Sequence, residues 1–232
     1  MTVIYITGDI HGDPCRVEYI CRQENLGSDD ILVLLGDVAA NYDGGKLDKA
    51  MKKQLAQCQP TILCIHGNHE ARPETIPGYV QKQWNGGTVW YQTEYPNLLF
   101  ARDGEIFLLN GLSCIVIGGA YSVDKYRRLA RGWSWWEDEQ PSPEIRTYVE
   151  SQIRMHHVDV VLSHTCPAKY TPFECYLPGI DQSGVDTSTE DWLDRIEDEL
   201  DYRAWYCGHW HTDKQVKKVH FLFWEYEKLI CG

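Results

Sequence analysis

Five short polar motifs recur along this chain, each placed directly after a short apolar run. They are Gly8-Asp9-Ile10-His11-Gly12, Gly36-Asp37, Gly67-Asn68-His69-Glu70, Ser163-His164 and Gly208-His209-Trp210-His211. The runs before them, at 2–7, 31–35, 61–65, 158–162 and 204–207, are rich in β-branched and aromatic residues and have the length of buried strands. In parallel α/β sheets, function collects beyond the carboxyl ends of strands. A chain patterned in this way must fold so that Asp, Asn and His from distant segments converge. The glycines beside them let the backbone turn sharply where each strand ends.

The intervening segments support that arrangement. Asp13 and Pro14 form a start signal for a helix running to about Asn25, and Lys46 to Cys58 reads as a second helix closed by Pro60. Strand–helix–strand–helix–strand implies parallel strands with crossover helices. From Arg72 to Pro96 the chain is rich in Pro, Gly and Trp and lacks periodicity. Strands are expected at 97–101, 106–109 and 112–117, the last two joined by the hairpin signal Asn110-Gly111. Tyr121 to Glu139 reads as a loop. Ser142-Pro143 starts a helix ending near His156, and Pro167 to Asp186 reads as a long loop. Thr187 with Glu190 forms a capping-box pattern for a helix to about Leu200, and Val216 to Tyr226 supplies closing strands. With no repeat or linker, the expectation is one domain over residues 1–232 containing two sheets.

Composition narrows the function. A formal net charge of −12 argues against a general nucleic-acid binder, although a nuclease whose metals meet the phosphate stays open. Nine cysteines, an odd number without a Cys-x-x-Cys pair, read as free thiols in a reducing compartment. The residues before the first motif are too few for a secretory signal, and no stretch approaches membrane-spanning length. The expected setting is the cytoplasm, without membrane contact.

Taken singly, each motif has an ordinary structural reading as a turn or a packed histidine. Taken together and in order, from Gly8 to His211, they resemble the calcineurin-like metallophosphoesterase superfamily. The resemblance implies an α/β fold, a β-sandwich of two mixed sheets flanked by helices with two metal ions above it. It implies that Asp9, His11 and His211 hold one ion, that Asn68, His164 and His209 hold the other, and that Asp37 bridges both. It makes His69 the histidine that is not a ligand and protonates the leaving alcohol, work typically worth about 10²–10⁴-fold.

The chemistry is consistent with those roles. Two dications about 3.5–4 Å apart repel by roughly 5 kcal/mol even at water's dielectric constant. A shared carboxylate and a shared hydroxide offset that repulsion, and the hydroxide becomes the nucleophile. Imidazole, carboxylate and amide ligands suit Mn, Fe or Zn, with Mn the expected ion in vitro.

The resemblance also separates branches. The Ser/Thr protein phosphatases of the superfamily continue their second motif as Gly-Asp-x-x-Asp-Arg-Gly. Here Ala40 replaces the Asp that would orient the catalytic histidine, and Asn41 replaces the phosphate-binding Arg. Arg72 also departs from that branch. The segment from Tyr121 to Arg131 offers replacement charge, so Lys125, Arg127 and Arg128 are the expected substrate-phosphate contacts. Trp133, Trp135 and Trp136 behind them read as anchors for the segment. Cys166 and Cys175 share the loop after His164 and read as thiols of no special role. The expected activity is hydrolysis of phosphate esters, with a phosphomonoester as the leading substrate class. Phosphodiester or nuclease activity, or an inactive metal-binding scaffold, are the alternatives.

Overall fold

The computed structural model describes residues 2–176 and 182–230. Cys231 and positions 177–181 of the expected long loop lie outside the described residues.

The chain begins as anticipated, with β1 (Ile4–Thr7), α1 (Pro14–Gln23), β2 (Ile31–Leu34), α2 (Lys46–Leu55) and β3 (Thr61–Cys64). Asp13 caps α1 by accepting the Cys15 N–H at 3.0 Å, and Pro14 sits at the first position. The helix stops sooner than expected because Asn25 turns left-handed (φ 52°), with Leu26 N–H bonded to Cys21 O at 2.9 Å and Asn25 N–H to Arg22 O at 3.3 Å. That is a Schellman stop with Asn in the place usually taken by Gly.

The stretch from Arg72 to Pro96 is not irregular. It holds β4 (Val80–Trp84) and β5 (Gly87–Tyr91), an antiparallel hairpin turning at Asn85 (φ 47°) and Gly86 (φ 91°). Most of β4 faces solvent, so no apolar alternation marks it. Then come β6 (Leu98–Ala101), β7 (Ile106–Leu109) and β8 (Leu112–Ile117), the last two joined by the expected Asn110-Gly111 turn.

Within the expected loop at 121–139 lies α3 (Lys125–Arg131), ended by left-handed Gly132. It buries none of its residues and therefore shows no apolar stripe in the sequence. Next is α4 (Pro143–Met155), with Ser142 Oγ accepting the Ile145 N–H at 3.3 Å. It is followed by β9 (Val160–Ser163), α5 (Ser188–Glu199), β10 (Ala204–Cys207), β11 (Lys214–Val216), β12 (Val219–Phe221) and β13 (Tyr226–Lys228). The capping box expected at α5 does not form. The Thr187 hydroxyl bonds Asp191 at 3.0 Å, and Glu190 instead accepts the Thr165 hydroxyl at 2.8 Å.

Two mixed sheets result, ordered β13-β1-β2-β3-β6-β5-β4 and β11-β12-β10-β9-β8-β7. In the first, β1, β2, β3 and β6 run parallel, as do β8, β9, β10 and β12 in the second. The expected closing strands divide between them, since β12 joins β10 while β13 crosses over to pair antiparallel with β1.

Ile4, Ile6, Val33 and Leu63 from one sheet meet Phe107, Cys114, Val116 and Leu162 from the other in the central core. Alternate residues such as Leu32, Leu34 and Ile62 pack outward with Val17, Ile20 and Met51 of α1 and α2. On the opposite outer face, Trp205 and Val161 pack with Trp192 and Leu193 of α5 and Val149 of α4. The layering is helix, sheet, sheet, helix. Four-residue strands suffice because both faces are covered, each large buried apolar side chain contributing about 1.5–3 kcal/mol.

Candidate metal centre

Every predicted ligand lies just past the carboxyl end of a parallel strand, and all of them meet at one end of the sandwich. Asp9 and His11 follow β1, Asp37 follows β2, and Asn68 and His69 follow β3; His164 follows β9, and His209 and His211 follow β10. His11 (φ 43°), Asp37 (φ 47°), His209 (φ 64°) and His211 (φ 49°) all hold left-handed backbone. Such strain costs about 1–3 kcal/mol per residue and collects at functional sites. Two glycines permit the close approach. A Cβ on Gly67 would sit 2.1 Å from Asp37 Oδ1, and one on Gly208 would sit 2.2 Å from Asp9 Oδ1.

The side chains form two adjoining groups. In the first, His211 Nε2 lies 3.4 Å and His11 Nε2 3.7 Å from Asp9 Oδ2. In the second, Asn68 Oδ1 is 2.8 Å from His164 Nε2 and 3.0 Å from His209 Nδ1. Asp37 stands between them, with Oδ2 3.9 Å from His11 Nε2 and Oδ1 3.7 Å from His164 Nε2. The far side of the His164 ring is fixed by Leu35 O, 2.7 Å from Nδ1, which leaves Nε2 to face the centre.

Electrostatics follow from burial and from this crowding. Burial opposes ionisation of Asp9, yet His164, His211, His11 and the His209 N–H outweigh it and hold the carboxyl well below its usual range. The Asp9 carboxylate, 3.4 Å away, raises the pKa of His211. Burial, and then His164, push His209 far down, keeping it neutral. Burial, then the charge of Asp37, lift Glu70 to about 8.

These residues suit divalent ions. Asp9, His11 and His211 place donor atoms within 4.8 Å of one another, and so do Asp9, Asp37 and His164. Asp9 Oδ2 is fully buried and has no hydrogen-bond partner, an arrangement that a cation would satisfy. The donors are nitrogen and oxygen only. Cys207 adjoins the site, but burial pushes its thiol pKa far up, so it offers no thiolate.

The sequence profile of the calcineurin-like phosphoesterases matches residues 2–213, a span holding all seven donors and His69. The chain belongs to the calcineurin-like phosphoesterase family. Membership implies a hydrolase of phosphate esters, and the family typically works with a binuclear metal centre, for which the two donor groups are suited. The fold is similar to that of TT1561 from Thermus thermophilus (TM-score 0.54, 11% identity, covering 98% of this chain and 97% of that one). The phosphopantetheinyl hydrolase of Mycobacterium tuberculosis is 17% identical over 96% of this chain and 88% of that one, with a TM-score of 0.49. No curated protein matches the sequence.

Within this calcineurin-like phosphoesterase, His69 adjoins the donors without joining either group. Its backbone N–H bonds Asp37 Oδ1 at 2.8 Å, its Nε2 lies 3.9 Å from Asp37 Oδ2, and its Nδ1 is buried without a partner. Ala40 is fully buried in the core, and Asn41 accepts the Tyr79 hydroxyl at 2.7 Å.

The three cations of α3 expected to meet substrate differ in their surroundings. Arg128 is close enough to His69 to affect its titration, and it is held by Asp124 (2.8 Å), the Tyr42 hydroxyl (3.2 Å) and Ser134 O (3.3 Å). Lys125 lies 4.1 Å above the Trp135 ring, and exposed Arg127 lies 5.8 Å from that of Trp133. The tryptophans thus hold the cations of the helix as well as anchoring it, Trp136 packing edge-on to Tyr42 at 5.5 Å. Cys166 is buried, Cys175 exposed, and both are free thiols.

Several residues around the donors carry no sequence motif. Arg16 donates to Asp9 O at 2.6 Å, and Phe223 stacks on the His211 ring at 4.3 Å. Ser122 receives Asn68 Nδ2 at 2.9 Å. Of these, only Ser122 could have been anticipated, because it follows the end of a parallel strand, β8.

Proposed function

We propose that this chain is a binuclear metal-dependent phosphomonoesterase of one domain. Asp9, His11 and His211 would hold one divalent ion and Asn68, His164 and His209 the second, with Asp37 shared between the two groups. The observation that carries the reading is the position of Asp37, whose two oxygens face different donor groups. Two divalent ions bound there would acidify a shared water and neutralise phosphoryl oxygens. Manganese fits the nitrogen and oxygen donors and is the natural choice for assay.

The chain's own residues orient the ester and move the proton. His69 Nε2 faces the centre and donates to the leaving oxygen. Burial lowers the pKa of His69 and Asp37 opposes that shift; a phosphate dianion beside the ring favours the proton further. Arg128, steadied by Asp124 and Tyr42, binds the phosphoryl group where Asn41 supplies no cation. Lys125 and Arg127 extend positive potential along the approach. No helix among the described residues is long and apolar enough to cross a membrane. The free thiols support a cytoplasmic setting.

The test is hydrolysis of p-nitrophenyl phosphate against bis-p-nitrophenyl phosphate after chelation and reloading with Mn²⁺. Monoester preference is the expected result. Diester preference would transfer the site to phosphodiesters, and two bound ions without turnover of either ester would argue for a scaffold.

A further inference from the structure

Asn68 is a proposed ligand whose usefulness depends on which way round its side chain lies. The amide oxygen can coordinate a cation; the amide nitrogen, turned to the same place, would repel it. The two ends are nearly equal in size, so shape alone does not choose between them.

In the structure Oδ1 faces His164 and His209, and Nδ2 donates to Ser122 Oγ at 2.9 Å. Ser122 is 1% exposed and Glu139 2%, so water does not complete their bonding. Burial raises the pKa of Glu139, and the Ser122 hydroxyl beside it opposes that shift. The Ser122 N–H donates to Glu139 Oε1 at 3.2 Å, and Trp135 Nε1–H donates to Oε2 at 2.8 Å.

This chain of bonds has a direction. With the Ser122 N–H on one oxygen and Trp135 Nε1–H on the other, the Glu139 carboxylate acts as an acceptor. Ser122 Oγ accepts from Asn68 Nδ2, and the carboxylate beside it is the acceptor at hand for its one proton. The Ser122 oxygen therefore presents only lone pairs to Asn68, and a lone pair bonds the NH₂ end of the amide but not the oxygen.

We infer that Ser122 and Glu139 are positioning residues that hold the Asn68 amide with its oxygen toward the second metal ion. The inference rests on the binuclear reading of the centre. It gives the segment between β8 and α4 a second task. The same Trp135 that donates to Glu139 lies under Lys125, so the helix that faces substrate and the orientation of a ligand share one anchor.

The experiment compares wild type, Ser122→Ala, Ser122→Thr and Glu139→Gln by titration of Mn²⁺ into chelated protein. Calorimetry reads the two affinities, and electron paramagnetic resonance reads the coupled Mn pair. Partners of this kind change metal affinity by about 10–100-fold. Ser122→Ala should weaken one ion by that factor, leave the other unchanged, and lose the pair signal at stoichiometric Mn²⁺. Its kcat should recover at high Mn²⁺ with KM unaltered.

Ser122→Thr keeps the hydroxyl and should restore tight binding. Glu139→Gln preserves shape but leaves one acceptor oxygen for Ser122 and Trp135 to share, so it tests the relay even if Ser122→Ala folds poorly. Wild-type affinities in both Ser122→Ala and Glu139→Gln would overturn the inference. A wild-type protein that takes up no second ion would instead overturn the binuclear reading, and this inference with it.

Discussion

His11 and His211, 200 residues apart in the chain, face each other Nε2 to Nε2 at 2.8 Å. Two imidazole nitrogens at that distance share a hydrogen bond only if one carries a proton and the other a lone pair. Asp9 raises the pKa of His211, which marks that ring as the proton's residence.

Metal uptake should therefore release a proton. A ligand must offer its lone pair, so His211 deprotonates when an ion binds. Because its pKa is raised, the release persists at and somewhat above the ordinary imidazole range. Affinity at this position should weaken as pH falls, by up to about tenfold per pH unit for one proton. Calorimetry in two buffers of different ionisation enthalpy measures the release; none near the ordinary imidazole pKa of about 6.5 would count against the protonated pair.

Replacing His69 with Gln should lower kcat by about 10²–10⁴-fold on an alkyl phosphate, the usual worth of a general acid. The loss should be much smaller on p-nitrophenyl phosphate, whose leaving group needs no proton. Equal losses on the two esters would point to a structural role, and unchanged metal stoichiometry would show that the centre survives.

Arg128→Ala should cost about 10–100-fold in kcat/KM, the scale of a lost charge-assisted hydrogen bond. Arg127→Ala should cost little, because that side chain is exposed against Trp133. Wild-type kinetics in a variant lacking both arginines would remove Arg127 and Arg128 from substrate binding.

Glu70 gives a pH signature in the metal-free protein. Its folded pKa is raised to about 8 from an ordinary 4.5, so between those values the native state keeps a proton that the unfolded chain has released. Stability should fall as pH rises through that window and level off above it. Glu70→Gln removes the ionisation, so the chelated variant should gain on wild type as pH climbs through the window. Each pH step inside it is worth at most about 1.4 kcal/mol. Parallel urea-stability curves for the two proteins across that range would contradict this.

Arg72 and Asp103 form a buried ion pair at 2.7 Å, with side chains 7% and 3% exposed. Arg72→Met strands the Asp103 charge and should destabilise the protein by about 3–5 kcal/mol. Adding Asp103→Asn should recover part of that loss in equilibrium denaturation. Arg72 also donates to Asp138 O at 2.9 Å, next to Glu139, so the single variant should loosen the segment over the site.

The donors are readable in the sequence because each is a polar interruption directly after an apolar strand buried on both faces. Asp9, Asp37, Asn68, His164 and His209 all announce themselves in that way. The hairpin at Asn85-Gly86 carries the same turn signal as Asn110-Gly111 but is harder to see, since β4 lies largely in solvent and has no alternation to flank the turn. The α3 helix is hidden for a related reason: it buries nothing. The Thr187 capping box fails because Thr165 claims Glu190 from a distant segment, a competition that local spacing does not express. Arg16, Phe223 and Glu139 act through contacts 7 to 207 residues away along the chain, beyond any motif.

The donors also divide by sheet. Asp9, His11, Asp37 and Asn68 extend from the seven-stranded sheet, and His164, His209 and His211 from the six-stranded one. Ions held between them would stitch the two halves of the sandwich together at a single edge. Opening the molecule at that edge would mean breaking coordination bonds. Chelation would then act as the cutting of a seam, and amide exchange should quicken first at the strand ends beside the site.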